Sequence, residues 1–196
     1  MTTALARRRV ASGPEPGRCH FSGRLPGRQV AERLRTEGHG VRVLSRHARP
    51  YGVDLRAGGP ELDAALTGVG TVVHCASSPR GGDEEAAEHL LATARRGGVG
   101  WGIWCTSPSW GVDRVPYGYY RAKYAVERRI ERSGLGFTIL RTTQFHDLLV
   151  SLFGTLARSP VMPLPARVSD QPVEVTEVAA CLAELGVEEH RNENRR

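Results

Sequence analysis

Apolar and polar positions alternate between strand-like and helix-like patterns from residue 28 to residue 185. Short apolar runs predict strands at 41–44, 71–76 and 137–140, with further extended pieces at 53–56 and 172–175. Apolar residues three and four positions apart predict the intervening helices, at 28–38, 61–66, 84–96, from Tyr119 to near Gly134, 144–158 and 177–185. Asp83 is expected to cap the third of these helices. The alternation favours an α/β fold with a parallel sheet and helices on both faces.

The two ends of the chain lack this pattern. Residues 1–27 are rich in Arg, Gly and Pro without apolar alternation, which predicts an irregular or disordered N-terminal segment. Residues 186–196 predict a charged, frayed tail. A single domain at residues 28–185 therefore accounts for the ordered part of the chain.

Composition and charge argue against several classes of function. The 196 residues are 40% hydrophobic, and no apolar run is long enough for a membrane span. The first residues lack the apolar stretch of a secretory signal. Four separated cysteines favour free thiols in a reducing cytoplasm over disulfides or a metal site, namely Cys19, Cys75, Cys105 and Cys181. The net charge of +6 comes with arginines that are not interleaved with aromatic residues, which argues against a nucleic-acid partner.

Tyr119 and Lys123 lie four residues apart at the start of a predicted helix. At this spacing two side chains share one helical face, one turn apart. An ammonium beside a phenol favours the phenolate, so the pair suits a phenol that donates a proton. The alternative is that both are ordinary surface residues of the helix.

Several segments resemble one known family. They occur in order over residues 27–185 and read GRQVAERLRTEGHGVRVLSR, Asp54–Leu55, GVGTVVHCASS, YYRAKYAVE, SGLGFTILRTTQF and PVEVTEVAACLAEL. As an ordered set they resemble the atypical short-chain dehydrogenases, in particular the NmrA-like NAD(P)-binding proteins. The resemblance implies a Rossmann-like, doubly wound parallel sheet in three α/β/α layers. It also implies a nicotinamide cofactor across the carboxyl ends of the strands.

The resemblance assigns cofactor roles by position. Arg46, just after the second strand, would meet the adenosine 2′-phosphate, which favours NADP(H) over NAD(H). Its alternative role is that of a surface residue. Asp54 and Leu55 would approach the adenine. Ala76 and Ser77 would line the ribose and nicotinamide side.

The resemblance also assigns the chemistry. Tyr119 would donate the proton and Lys123 would hold the nicotinamide ribose. The residues after the TILR motif would border cofactor and substrate, or alternatively cap and pack the next helix, namely Thr142, Thr143, Gln144 and Phe145. Many members of the family lack a complete Tyr–Lys pair and act as binders or sensors, so the complete pair favours a reductase.

The chain departs from the family at the phosphate-binding turn. The family opens with a buried strand and a glycine-rich turn that holds the pyrophosphate. Here the remnant is Gly23 and Gly27, four residues apart, and Pro26 between them has no N–H to donate. Pro26 is nevertheless suited to the first position of a helix.

A second departure lies at residues 104–111, where the family expects an apolar strand. Codons for Leu-Val-Tyr-Ile-Ser-Ile-Val-Gly, read one nucleotide late, encode Trp-Cys-Thr-Ser-Pro-Ser-Trp, which is residues 104–110. We therefore hypothesise a local frameshift that replaced a core strand, because Pro108 would remove a ladder donor from it. Together the two departures predict that the family's first and fifth strands are missing or distorted.

The sequence thus predicts an NAD(P)H-dependent oxidoreductase that transfers hydride to a small carbonyl or quinone-like substrate. The alternatives are a non-catalytic NAD(P)-binding sensor or regulatory protein, and an inactive frameshifted product. The predicted partner is a small molecule. Substrate identity and oligomeric state stay open.

Overall fold

Strands and helices alternate along the chain as the pattern predicts. The computed structural model describes residues 3–7, 26–78, 81–106, 118–143, 145–146 and 172–193. In this part the strands are β1 (Thr3–Arg7), β2 (Gly40–Leu44), β3 (Val69–His74), β4 (Trp101–Thr106) and β5 (Gly136–Arg141). The helices are α1 (Pro26–Thr36), α2 (Pro60–Leu66), α3 (Asp83–Arg96), α4 (Gly118–Glu131) and α5 (Val175–Glu193).

The strands form one sheet in the order β2-β1-β3-β4-β5. β3, β4 and β5 are parallel, and β1 is antiparallel to both β2 and β3, so β2 runs in the same direction as β3. Leu44 and His74 both pair with Thr3, His74 pairs with Trp104, and Trp104 pairs with Ile139. The ends of β2, β3, β4 and β5 therefore lie along one side of the sheet, which we call the carboxyl edge.

Two helical layers bury the two faces of this sheet. On one face α2, α3 and α4 cover Leu44, Val72 and Trp104. On the other face α1 and α5 cover Val43, Ile103 and further aliphatic side chains. Adjacent strand residues such as Ile103 and Trp104 enter opposite layers, as the pleat of a strand requires. The result is the predicted three-layer α/β/α arrangement.

The prediction of an irregular segment over residues 1–27 is wrong for both of the parts that the structure describes. Thr3–Arg7 forms β1 in the middle of the sheet, and α1 already begins at Pro26. The reason is tertiary: the facing edges of β2 and β3 carry backbone groups that need partners, and β1 supplies them. β1 runs opposite to its neighbours and lies where the resemblance implies a parallel first strand.

The family's fifth strand is present as β4. Residues Trp101–Thr106 pair in parallel with both β3 and β5. The strand ends before Pro108, which lies outside the described residues, so no proline interrupts its described ladder. Ile103 and Trp104 are both buried, and these bulky apolar side chains fill the two layers that flank the sheet.

The extended piece predicted at 53–56 is not a regular strand. Only a single bridge, from Ser45 to Gly52, joins this region to the end of β2. Leu55 already begins a turn. Val53 and Leu55 are nevertheless buried, so the apolar residues that suggested a strand serve the core instead.

The C-terminal boundaries also differ from the prediction. The strand predicted at 172–175 is reduced to one bridge between Val173 and Phe145. α5 runs on to Glu193, past the predicted start of the charged tail, since Val187 packs against the core beneath α1 and α5. The helix predicted at 144–158 lies almost entirely outside the described residues. None of the helices in the described ranges is long and apolar enough to cross a bilayer.

Candidate functional site

The carboxyl edge gathers most of the predicted site residues that the structure describes. Arg46 follows β2, Ala76 and Ser77 follow β3, and Thr142 follows β5. Because these strands end in register, the turns after them lie at the same edge. This is the edge at which open α/β sheets bind ligands.

A buried ion pair lies at this edge. The Nζ of Lys123 in α4 is 3.0 Å from Oδ2 of Asp83, and the two side chains are 8% and 6% exposed. Asp83 Oδ2 also accepts a hydrogen bond from the hydroxyl of Ser77 at 3.1 Å. Its Oδ1 accepts one from the backbone N–H of Ser78 at 2.8 Å. The carboxylate therefore joins α4 to the turn after β3.

The role predicted for Asp83 as a helix cap is wrong. Gly82 is the N-cap of α3, with a φ of 86°, and no side chain caps the helix there. Asp83 is the first residue of the helix, and its carboxylate faces Ser77, Ser78 and Lys123. Lys123, the partner of Asp83, also differs from the other cations of the chain. It is the only lysine among the 27 Lys and Arg residues, and the sequence prediction did not use this fact.

His74 is a second buried ionisable group near this pair. It is 6% exposed and its ring lies 4.8 Å from the ring of Trp104. Burial lowers the pKa of His74 from 6.5 to about 3, and the positive charge of Lys123 acts in the same direction. Asp83 and a hydrogen bond with the Ala76 backbone act in the opposite direction. The imidazole is therefore neutral at neutral pH.

Thr142 extends the pairing of β4 and β5 at the same edge. Its backbone N–H donates to the carbonyl of Thr106 at 2.8 Å, and its hydroxyl donates to the same oxygen at 3.3 Å. The Sγ of Cys105 lies 3.9 Å from that hydroxyl. Thr143 is half-buried, and Gln144 lies outside the described residues.

The predicted adenosine end lies after β2. Arg46 is exposed in a turn that the bridge between Ser45 and Gly52 closes. Asp54 is exposed, and its Oδ1 accepts a hydrogen bond from the backbone of Arg56 at 3.0 Å. The side chain of Leu55 packs in the core, so Asp54 is the exposed member of the predicted pair.

The remaining predicted residues are partly described. Tyr119 lies in the first turn of α4, four residues before Lys123, and its side chain lies outside the described part. Gly27 is buried in the first turn of α1, and Gly23 lies outside the described residues. β1 ends at Arg7 on the side opposite the carboxyl edge, so it does not deliver the chain to a phosphate-binding turn as a parallel first strand would.

α1 nevertheless presents its amino end to the carboxyl edge. The helix ends at Thr36, shortly before β2 begins at Gly40 on the opposite side of the sheet. The first-turn N–H groups of a helix attract anions. The edge therefore offers donors from α1, the cation Arg46 and the buried Lys123–Asp83 pair, which fit the phosphate and ribose groups of a dinucleotide.

These features define a dinucleotide-binding α/β domain. Residues 23–185 match the NAD(P)H-binding family, and the chain belongs to it. The predicted NAD(P)-binding family and the predicted Rossmann-like fold are thereby confirmed. A search of curated proteins finds no match.

Solved structures with a similar fold include reductases and an epimerase that were solved with a nicotinamide nucleotide. UDP-glucose 4-epimerase from Thermus thermophilus, in complex with NAD, has a TM-score of 0.64 at 19% identity, over 82% of this chain and 71% of that one. The Escherichia coli NADPH-dependent quinone oxidoreductase in complex with NADPH has a TM-score of 0.58 at 20% identity, over 70% and 48%. The Citrobacter triphenylmethane reductase in complex with NADP(H) has a TM-score of 0.50 at 17% identity, over 64% and 45%. This chain thus spans about half the length of the two reductases.

Proposed function

We propose that this protein is an NAD(P)H-dependent oxidoreductase acting on a small carbonyl or quinone-like substrate. The observation that carries the proposal is the buried Lys123–Asp83 pair at the carboxyl edge of an NAD(P)H-binding domain. A buried ammonium held at a ligand-binding edge is more typical of a working site than of a surface. The bound nicotinamide supplies the hydride.

Residues of α4 and of the turn after β3 bind the cofactor and donate the proton. Lys123 donates hydrogen bonds to the nicotinamide ribose, and Ser77 lines the same side. Tyr119, one turn before Lys123, donates its phenolic proton to the substrate oxygen as that oxygen gains negative charge. The adjacent ammonium stabilises the resulting phenolate.

Arg46 sets the preference for NADP(H). An exposed guanidinium just after β2 suits the 2′-phosphate, because its planar N–H groups bind a phosphate at two points. Two of the similar structures, the quinone oxidoreductase and the triphenylmethane reductase, were solved with NADPH or NADP(H). The epimerase was solved with NAD, so the preference rests on Arg46.

Fluorescence titration tests the binding part of the proposal. Arg46→Ala should weaken NADPH binding by about ten- to a hundred-fold and leave NADH binding within about two-fold, since one charged contact contributes roughly 1.5–3 kcal/mol. Arg49→Ala removes another exposed arginine from the same loop and should leave the ratio of the two affinities unchanged. Equal loss of NADPH affinity in both variants would count against a 2′-phosphate site at Arg46.

Measurement of turnover distinguishes an enzyme from a non-catalytic sensor. Tyr119→Phe should bind NADPH normally and lose kcat by about 10²- to 10⁴-fold with a quinone acceptor. The neighbouring Tyr124→Phe, on an exposed tyrosine of the same helix, should keep wild-type kcat. NADPH binding without any turnover in the wild-type protein would support the non-catalytic sensor instead.

One observation favours the inactive-product alternative. The indole Nε1 of Trp104 is buried without a hydrogen-bond partner among the described residues, which costs about 1–3 kcal/mol. Trp104 is the first residue of the segment that the shifted codons encode. A non-cooperative thermal melt without NADPH binding would support this alternative, and an intact reading frame in the resequenced gene would exclude the frameshift.

A further inference from the structure

We infer that Asp83 is a positioning residue that holds Lys123 in place for the nucleotide. The inference rests on the proposed function and extends it to a residue outside the Tyr119–Lys123 pair. Asp83 belongs to α3 and Lys123 to α4, so their 3.0 Å contact is a link between two helices. No pattern along the sequence predicts this contact between Asp83 and Lys123.

The contacts of Asp83 fix its carboxylate from two sides. The turn after β3 supplies the hydroxyl of Ser77 and the backbone N–H of Ser78. α4 supplies the ammonium of Lys123. A carboxylate anchored to backbone and hydroxyl donors is a fixed acceptor, and a flexible lysine that pairs with it is confined to one direction. The lysine head group is thereby held at the carboxyl edge.

Burial makes this pairing necessary. An ammonium that is 8% exposed requires a nearby negative charge, because burying it alone is strongly unfavourable. Asp83 is also the first residue of α3, where the helix dipole favours a negative charge. The Asp83 carboxylate therefore lies favourably at the start of α3 and holds the Lys123 head group in one orientation.

A second ion pair on α4, between the buried Glu127 and the exposed Arg141, provides a control. Glu127, one turn after Lys123, has a side chain that is 2% exposed and lies 2.9 Å from Arg141 of β5. It fastens α4 to the sheet as Asp83 fastens α4 to α3. If Asp83 acted only as a fastener of helices, Asp83→Asn and Glu127→Gln would have similar effects on nucleotide binding.

The NADPH affinities and thermal melts of the Asp83 and Glu127 variants are compared with those of the wild type. Asp83→Asn should weaken NADPH binding at least about ten-fold, whereas Glu127→Gln should stay within about two-fold of wild type. Asp83→Glu keeps the charge at a longer reach and should recover part of the affinity. Both neutral variants should melt below the wild type. The inference is overturned if Asp83→Asn binds as wild type does, or if Glu127→Gln loses as much affinity.

The single lysine allows a measurement that needs no nucleotide. Acetylation of Lys123 by acetic anhydride can be followed by peptide mass spectrometry, and Lys123→Arg identifies the signal. Without the Asp83 carboxylate the lysine head group is no longer held in its buried ion pair, so Asp83→Asn should acetylate at least about ten-fold faster than wild type. Glu127→Gln should acetylate at the wild-type rate. Equal rates in Asp83→Asn and wild type would show that Asp83 does not hold the lysine.

These outcomes separate the inference from the proposed function. A wild-type protein that does not bind NADPH overturns both. A wild-type protein that binds NADPH, combined with wild-type binding or wild-type acetylation in Asp83→Asn, overturns only the role of Asp83. If Asp83→Asn does not fold, the same comparison is made with Asp83→Glu, whose altered reach should weaken binding while Glu127→Gln does not.

Discussion

Acidification should destabilise this protein through His74. The pKa of its imidazole falls to about 3 in the folded protein from an ordinary value of 6.5, mainly because the ring is buried. Between these two values the unfolded chain binds a proton that the folded chain does not, so stability falls as the pH decreases through this window. The contribution is fully present above pH 6.5 and is lost progressively below it.

The size of the effect follows from the same numbers. Each pH unit below the unfolded pKa favours the unfolded state by about 1.4 kcal/mol. At about pH 5, His74 alone should therefore lower the free energy of unfolding by about 2 kcal/mol relative to about pH 8.

Urea denaturation at these two pH values tests the prediction. His74→Asn removes the titrating group, and its pH-dependent loss of stability should be smaller than that of the wild type by about 2 kcal/mol. His47→Asn, at an exposed histidine, should show the full wild-type loss. The same pH dependence in His74→Asn and wild type would refute the reasoning.

Three further substitutions and one modification have clear expected outcomes. Gly136→Ala should lose about 1–3 kcal/mol of stability, because a Cβ there would overlap the ring of Trp101. Gly186→Ala in α5 should gain about 0.5–1 kcal/mol, since its Cβ would meet its nearest neighbour at 3.7 Å; urea midpoints check both. Arg42→Ala should cost about 1–3 kcal/mol by the same assay, because its guanidinium donates to two carbonyls at the end of α2 at 2.8 Å. Burial raises the pKa of the Cys75 thiol, so its alkylation at about pH 8 should be far slower in the folded protein than in urea, as mass spectrometry would measure.

The sequence predicted the elements whose pattern is local. α3 and β3 emerged close to their observed bounds because their apolar residues follow the periods of a helix and a strand. Residues 3–7 carry only a weak pattern, and their place between β2 and β3 depends on hydrogen-bond groups distant in the sequence. The direction of β1 is likewise set by tertiary pairing.

The residues of the candidate site likewise divide into those with a local sequence signal and those placed by tertiary contacts. Lys123 was found because its spacing from Tyr119 is a local signal. The contact between Asp83 and Lys123 was not predicted because the Asp83 carboxylate faces α4, which no spacing within 83–96 reveals. Leu55 was assigned to the adenine site, but its side chain is used by the core.

The central claim is that a nicotinamide nucleotide binds at the carboxyl edge beside Lys123. Its most direct test is the rate of Lys123 acetylation in the wild-type protein with and without saturating NADPH. A nucleotide whose ribose contacts this lysine should slow the reaction by at least about ten-fold, with a half-maximal concentration equal to the Kd from fluorescence titration. Saturable NADPH binding that leaves the acetylation rate of Lys123 unchanged would contradict the claim.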